Sequence, residues 1–285
     1  MRLIAFNNDA GQAALGARVG DELVDLTALG LPATLDELLR QGEAGMAAAK
    51  TALTKATRRR PLAGLIYLPP LANPTKAFAI GLNYVDHAAE SKFDLPQHPV
   101  LFQRFPTSWV GHGANLVRPH VSTQFDYEAE LVAVIGKAGR YITKENALEH
   151  VAGYSIFNDG SIRDYQFRSN QWLWGKNFDS SGGFGPEFVT ADELPPGAVG
   201  LQVKCRLNGE TLQNANTCDM IFDVATLVAA CSDGMALQPG DLIITGTPSG
   251  VGLARKPPVW MKAGDICEIE IESIGILRNA IVDET

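Results

Sequence analysis

Between Phe125 and Gly136 the chain reads Phe-Asp-Tyr-Glu-Ala-Glu-Leu-Val-Ala-Val-Ile-Gly. A β-branched and aromatic run closed by glycine predicts a strand. Side chains alternate across a strand, so Glu128, Glu130, Val132 and Val134 share one face, and Tyr127, Ala129, Leu131, Ala133 and Ile135 the other. Both faces turn apolar beyond the acids, so the predicted strand runs into a core with two carboxylates at its mouth. Adjacent carboxylates repel each other unless they are protonated, solvated or bound to a cation. The pattern therefore allows either a divalent-metal site or a half-exposed strand with two solvated acids.

The same patterning divides the rest of the chain. Short strands are predicted at Leu3–Phe6, Ala14–Val19 and Leu23–Leu26. Thr34 caps a helix, with Glu37 as the acid of a capping box, and Ala44–Arg60 is Ala-rich and helical. The proline-marked stretch Pro69–Pro74 is a linker. These elements predict a small α/β amino-terminal domain over residues 1–72, with a structural role, and a larger domain over 73–285. In the larger part, strands are expected at Lys76–Gly81, Pro99–Pro106, Ala152–Asp159, Leu201–Leu207, Asp241–Gly246 and Cys267–Ile271, with a helix at Ile221–Ser232. The expected class is β-rich α+β.

Several polar residues interrupt this pattern with possible chemistry. If Asp86–Glu90 is helical, His87 and Glu90 lie three apart on one face, as an oriented base or as a surface contact. The polar stretch Ser91–Pro99 could cover a site. Asp159 ends a predicted strand before a predicted helix, which makes it a third oxygen ligand or a helix cap. Arg163 and Gln166 would lie one helical turn apart. Lys176 sits in an aromatic, glycine-rich setting, either snorkelling or aimed at an anion. Gly246–Gly252 fits neither phosphate-loop nor dinucleotide spacing, and reads as a tight turn whose amides and Thr247 hydroxyl can face a carboxylate.

Composition narrows the partners. A formal charge of −8 argues against nucleic acid, and no apolar run reaches membrane length. The first residues have no signal-peptide core, so the cytoplasm is the expected location. Cys205, Cys218, Cys231 and Cys267 form no Cys-x-x-Cys pair and are expected as reduced, mostly buried thiols.

Taken in order, the polar blocks form a pattern: Gly81-x-Asn83-Tyr84-x-x-His87-x-x-Glu90, Asp126-Tyr127-Glu128-x-Glu130-Leu131, Phe157-Asn158-Asp159-x-Ser161-x-Arg163-Asp164-x-Gln166, Lys176-x-x-Asp179 and Thr245-Gly246-Thr247-Pro248-x-Gly250-Val251-Gly252. This pattern, over residues 76–285, resembles the fumarylacetoacetate hydrolase family. The resemblance implies a rolled mixed β-sheet catalytic domain and a homodimer. It also implies a divalent ion, Mg²⁺ foremost with Mn²⁺ or Ca²⁺ as alternatives, on Glu128, Glu130 and Asp159. Lys176, Arg163 and Gln166 would meet substrate oxygens, and Thr247 the substrate carboxylate. His87 and Glu90 would activate water from a lid helix. One departure is Arg104, in Phe102-Gln103-Arg104-Phe105-Pro106, where many members carry lysine. The activity implied first is hydrolysis of a C–C bond in a 2,4-dioxo acid, an acylpyruvate or diketo sugar acid, to pyruvate and a carboxylic acid. Alternatives are oxaloacetate decarboxylation, or a lyase, hydratase or isomerase acting on a related 2-oxo or 2-hydroxy acid such as ureidoglycolate. A catalytically silent, metal-stabilised scaffold is the non-enzymatic alternative.

Overall fold

The two faces expected for the central strand lie in two separate cores. A computed structural model describes residues 1–86 and 96–285. In it Tyr127, Ala129, Leu131, Ala133 and Ile135 join one hydrophobic cluster. Val132 and Val134 join another. The strand itself is broken. Ala129–Ile135 lies inside a 12-stranded sheet, whereas Phe125–Asp126 pairs separately with Ser161–Ile162. Between them, side chains take over from backbone partners: Tyr127 N–H donates to Asp126 Oδ1 at 2.9 Å and Glu128 N–H to Asn158 Oδ1 at 3.1 Å. Buried amides need such partners wherever the ladder stops.

Ten strands of the large sheet run in the order Arg60–Pro61, Glu22–Asp25, Ala13–Val19, Arg2–Asn7, Gly182–Thr190, Val151–Asn158, Ala129–Ile135, Leu242–Ile244, Ala77–Gly81 and Val100–Gln103, while Ile66–Tyr67 and Trp109–Val110 branch from Arg2–Asn7 and Gly182–Thr190. Most pairs are antiparallel, but Leu242–Ile244 runs parallel to Ala77–Gly81. The first strand, Arg2–Asn7, pairs directly with Gly182–Thr190, so the amino-terminal strands and the later ones share one continuous sheet. A five-stranded sheet, Glu210–Asn216, Gln202–Leu207, Ile266–Ile271, Gly275–Asp283 and Leu116–Arg118, covers one face of the large one. The first cluster fills the space between the sheets and includes Val203, Ile269, Leu277 and Ile281. Helix Val224–Gly234 adds Leu227, Val228 and Cys231, and is capped by Asp223, which accepts from Thr226 N–H at 2.8 Å. On the opposite face, helices Leu35–Arg40 and Gly42–Lys55 contribute Leu35, Leu38, Leu39 and Ala49 to the second cluster. The architecture is the expected β-rich α+β fold.

Several local expectations are corrected. Thr34 does cap its helix, but the next helix ends at Lys55 rather than Arg60. Pro61 biases Arg60 towards an extended backbone, and Arg60 pairs with Leu23. The strand predicted over Pro99–Pro106 spans only Val100–Gln103, so Arg104 leaves the sheet. After Asp159 the chain forms a short strand at Ser161–Ile162 before a four-residue helix, Arg163–Gln166. The cysteines are free thiols, with Cys205, Cys231 and Cys267 buried and Cys218 exposed. Among the described residues no helix is long and apolar enough to cross a membrane.

Candidate active site

Glu128, Glu130 and Asp159 meet where the central strand enters the sheet, each buried. One oxygen from each lies within 4.8 Å of the others. Register explains the meeting. Ala129 is paired with Asn158 and Glu130 with Phe157, which sets Asp159 beside Glu128, and Asp159 N–H donates to the Glu128 carbonyl at 2.9 Å. The helix-cap reading of Asp159 fails, since the helix after it starts from Ile162 without a side-chain cap. The Asp159 carboxylate is held by two cations instead. Arg104 Nη1 donates to Oδ1 at 2.8 Å, and Lys176 Nζ donates to Oδ2 at 2.7 Å.

Lys176 also reaches Glu128 Oε2, at 2.6 Å, so its ammonium bridges two of the three acids. It comes from the short helix Leu173–Lys176, and its side chain is 2% exposed, which leaves no snorkelling route to solvent. Arg163 grips the same cluster from another side. Its Nε donates to Asp126 Oδ2 at 2.8 Å, and its Nη2 lies 2.7 Å from Glu128 Oε1. Arg163 Nη1 donates to Gln166 Oε1 at 2.8 Å, so the two residues expected one turn apart do meet. Arg163 thus links Asp126, Glu128 and Gln166. Asp126 in turn accepts from the Gly252 and Leu253 amides at 2.7 and 2.9 Å.

The Gly246–Gly252 turn faces a carboxylate, and that carboxylate belongs to the protein. Gly246, at φ 98°, presents its N–H to Glu130 Oε2 at 2.6 Å. Thr247 Oγ1 accepts from Gln213 Nε2 at 2.8 Å, while Gln213 Oε1 accepts from Ala129 N–H at 3.0 Å. Asn83 stitches the strand Ala77–Gly81 to this turn, donating to the Thr245 carbonyl at 2.7 Å. Beside it a cavity of about 160 Å³ is lined by Tyr84, Asp86, Asp219 and Pro248 among others. Tyr84 is 2% exposed, and its hydroxyl has no hydrogen-bond partner among the described residues. Burial, and then the charge of Glu130, push its pKa up, so the hydroxyl stays protonated as a hydrogen-bond donor.

Electrostatics follow the geometry. Burial pushes Glu130 well above the usual carboxylate range, helped by the charges of Asp159 and Glu128 and opposed by Lys176 and the Gly246 amide. Burial also raises Asp159, against the pull of Lys176 and Arg104. For Arg163 burial acts downwards, but Asp126 and Glu128 outweigh it and its pKa rises. Three crowded acids, two of them already bridged by an ammonium, suit a small divalent cation of the hard class. His87 and Glu90 lie outside the described residues, as does most of the Ser91–Pro99 stretch.

The sequence profile of the family described as "Fumarylacetoacetate (FAA) hydrolase C-terminal" matches residues 76–282. The chain belongs to the fumarylacetoacetate hydrolase family. Among relatives of this family enzyme, "Oxaloacetate tautomerase fahd2, mitochondrial" of Xenopus laevis is 40% identical over 289 residues, covering 99% of this chain and 90% of that protein. A fumarylacetoacetate hydrolase from Exiguobacterium antarcticum superposes with a TM-score of 0.89 at 37% identity, over the whole of both chains. A maleylpyruvate hydrolase from Sphingobium sp. SYK-6, solved with manganese(II) and pyruvate, gives 0.84 at 31% identity, again over the whole of both chains.

Proposed function

We propose that this family member uses a divalent metal to interconvert the keto and enol forms of oxaloacetate or a closely related 2-oxo acid. The observation that carries the proposal is the buried trio Glu128, Glu130 and Asp159, with the Lys176 ammonium bridging Glu128 and Asp159 at 2.6 and 2.7 Å. The trio would hold Mg²⁺ or Mn²⁺, which would supply Lewis-acid polarisation of the 2-oxo group. Lys176 would donate a hydrogen bond to the 2-oxygen as it gains negative charge. Arg163, anchored by Asp126, holds Glu128 in place, and the Gly246 amide holds Glu130. Tyr84, a donor lining the adjoining cavity, would face the rest of the substrate.

Stabilising an enolate in this way serves tautomerisation, decarboxylation and C–C hydrolysis alike. The name of the Xenopus laevis relative, at 40% identity over 99% of the chain, favours tautomerisation over the C–C hydrolysis that the resemblance implied first. Hydrolysis further requires activation of water, the part assigned to His87 and Glu90. The maleylpyruvate hydrolase neighbour keeps hydrolysis as the second reading.

The test follows enol-oxaloacetate by its ultraviolet absorbance while a lactate dehydrogenase couple reports pyruvate. Loss of enol without pyruvate, abolished by EDTA and restored by Mg²⁺ or Mn²⁺, is expected. Enol decay at the uncatalysed rate, with rapid pyruvate release from an acylpyruvate, would establish hydrolysis instead. Activity indifferent to chelation would remove the metal.

A further inference from the structure

We propose that Arg104 is a positioning residue that limits Asp159 to one ligating oxygen, and so biases the site towards six-coordinate cations such as Mg²⁺ and Mn²⁺ and against Ca²⁺. The inference rests on the metal reading above and adds to it a determinant of which metal is taken.

The surroundings of Arg104 are shaped for a guanidinium. Its side chain is fully buried, just beyond the edge strand Val100–Gln103. Nε donates to Ser108 Oγ at 3.1 Å, Nη2 to the Ser108 carbonyl at 3.1 Å, and Nη1 to the Gly160 carbonyl at 3.0 Å. The guanidinium carbon lies 5.3 Å from the centre of the Phe157 ring. A Cβ at residue 182 would collide with Nη2, so the glycine there makes room for it. A lysine carries three donors on a single point and could not make this set of planar, divergent contacts.

That rigidity is passed to Asp159. Oδ1 accepts from Arg104 Nη1 at 2.8 Å, and Oδ2 accepts from Lys176 at 2.7 Å. The two cations differ in freedom. Arg104 is held by three further hydrogen bonds, whereas Lys176 ends a flexible stem and is shared with Glu128. An arriving cation can therefore take over Oδ2 from the ammonium, while Oδ1 stays with the guanidinium. Glu128 is divided in the same manner, with Oε1 beside Arg163 and Oε2 on Lys176. Ca²⁺ takes six to eight oxygens and commonly draws on both oxygens of a carboxylate, whereas Mg²⁺ accepts six in near-octahedral order and keeps water in the rest. A site whose acids each present one oxygen matches the second habit.

The experiment measures binding, independently of turnover. Full-length protein is stripped with chelator, and Mg²⁺, Mn²⁺ and Ca²⁺ affinities are taken by titration calorimetry, with Mn²⁺ also followed by electron paramagnetic resonance. Arg104→Lys retains the charge and discards the planar anchor. It is expected to weaken Mn²⁺ and Mg²⁺ by about 10–100-fold, the usual scale for groups that orient a ligand, while Ca²⁺ loses much less. The Ca²⁺-to-Mn²⁺ preference then rises about tenfold or more. Ser108→Ala, which removes the Nε partner and the bond Ser108 Oγ donates to the Phe105 carbonyl but keeps the guanidinium, is expected to shift the preference the same way by less, and it decides the matter if Arg104→Lys does not fold. A common factor for all three ions in both variants, or no change, overturns the role of Arg104. Wild-type protein that binds none of the three overturns the metal reading itself.

Discussion

Replacing Lys176 with methionine keeps most of the volume beside Phe102 and removes the ammonium that bridges Glu128 and Asp159. Without metal, the variant leaves three buried carboxylates facing one another with less compensation. Removing one partner of a buried ion pair typically costs about 3–5 kcal/mol, mostly because the remaining charge is left unpaired. For a chain of this size that is a fall in Tm on the order of 10 °C. A divalent ion at about 100 times its Kd contributes about 2.7 kcal/mol to the folded state, and it supplies the positive charge the variant lacks. The loss in Tm should therefore be large in EDTA and small in saturating Mg²⁺. Turnover should not recover with the stability. If Lys176 serves the developing enolate oxygen, its loss costs about 10²–10³ in kcat even in the metal-loaded variant. Thermal melts with and without Mg²⁺, paired with the enol-oxaloacetate assay, read both effects. An equal fall in Tm under both conditions would refute the charge argument, and near wild-type turnover in the loaded variant would refute the catalytic one.

The raised pKa values of Glu130 and Asp159 set the direction of pH dependence. A carboxyl group whose folded pKa lies above its unfolded value stabilises the fold while protonated, and that contribution is lost as pH rises through the raised value. Metal binding needs the same groups ionised, so the Tm increment from Mg²⁺ should grow between about pH 5 and pH 8; an increment that shrinks over this range contradicts the assignment. His87→Ala should slow turnover by about 10²–10⁴-fold if His87 is the acid–base group, and near wild-type rates on both oxaloacetate and an acylpyruvate would exclude it. Asp126→Asn should loosen Arg163 and, with it, Glu128. We expect Mn²⁺ affinity to fall about 10–100-fold, and unchanged affinity would show that Asp126 serves only the fold.

Much of the site was legible because alternation along a strand survives folding. The faces assigned to Glu128, Glu130 and Val132, and to Tyr127, Ala129 and Leu131, correspond to a carboxylate cluster and two cores. What periodicity could not show was which distant groups meet those faces. Arg104, left outside the expected ligand and substrate set, reaches Asp159 55 positions along the chain. Gln213 links Ala129 to Thr247, and Asn158 receives the Glu128 amide, both through side chains with no local pattern. The helix-cap reading of Asp159 was removed by the short strand and uncapped helix that follow it, while strand register set it beside Glu128 and within reach of Lys176. Arg163 and Gln166 were correctly paired by helical spacing, yet the carboxylates that Arg163 holds, Asp126 and Glu128, depend on the separate ladder between Phe125–Asp126 and Ser161–Ile162.

The pairing of Arg2–Asn7 with Gly182–Thr190 has a kinetic consequence. Arg2 and Glu187, joined across that ladder, are 185 positions apart, so the start of the strand Arg2–Asn7 has no neighbour on that side until the roughly 180 residues after it have been made. Such long loop closures slow folding and leave strand edges open to mispairing in the meantime. They also tie the order of assembly to the site. The strand that awaits Arg2–Asn7 begins with Gly182, whose bare Cα admits the Arg104 guanidinium, and it pairs along its length with the strand leading to Asp159. Chaperone demand during synthesis, and tolerance of amino-terminal fusions, should therefore track the formation of this one ladder.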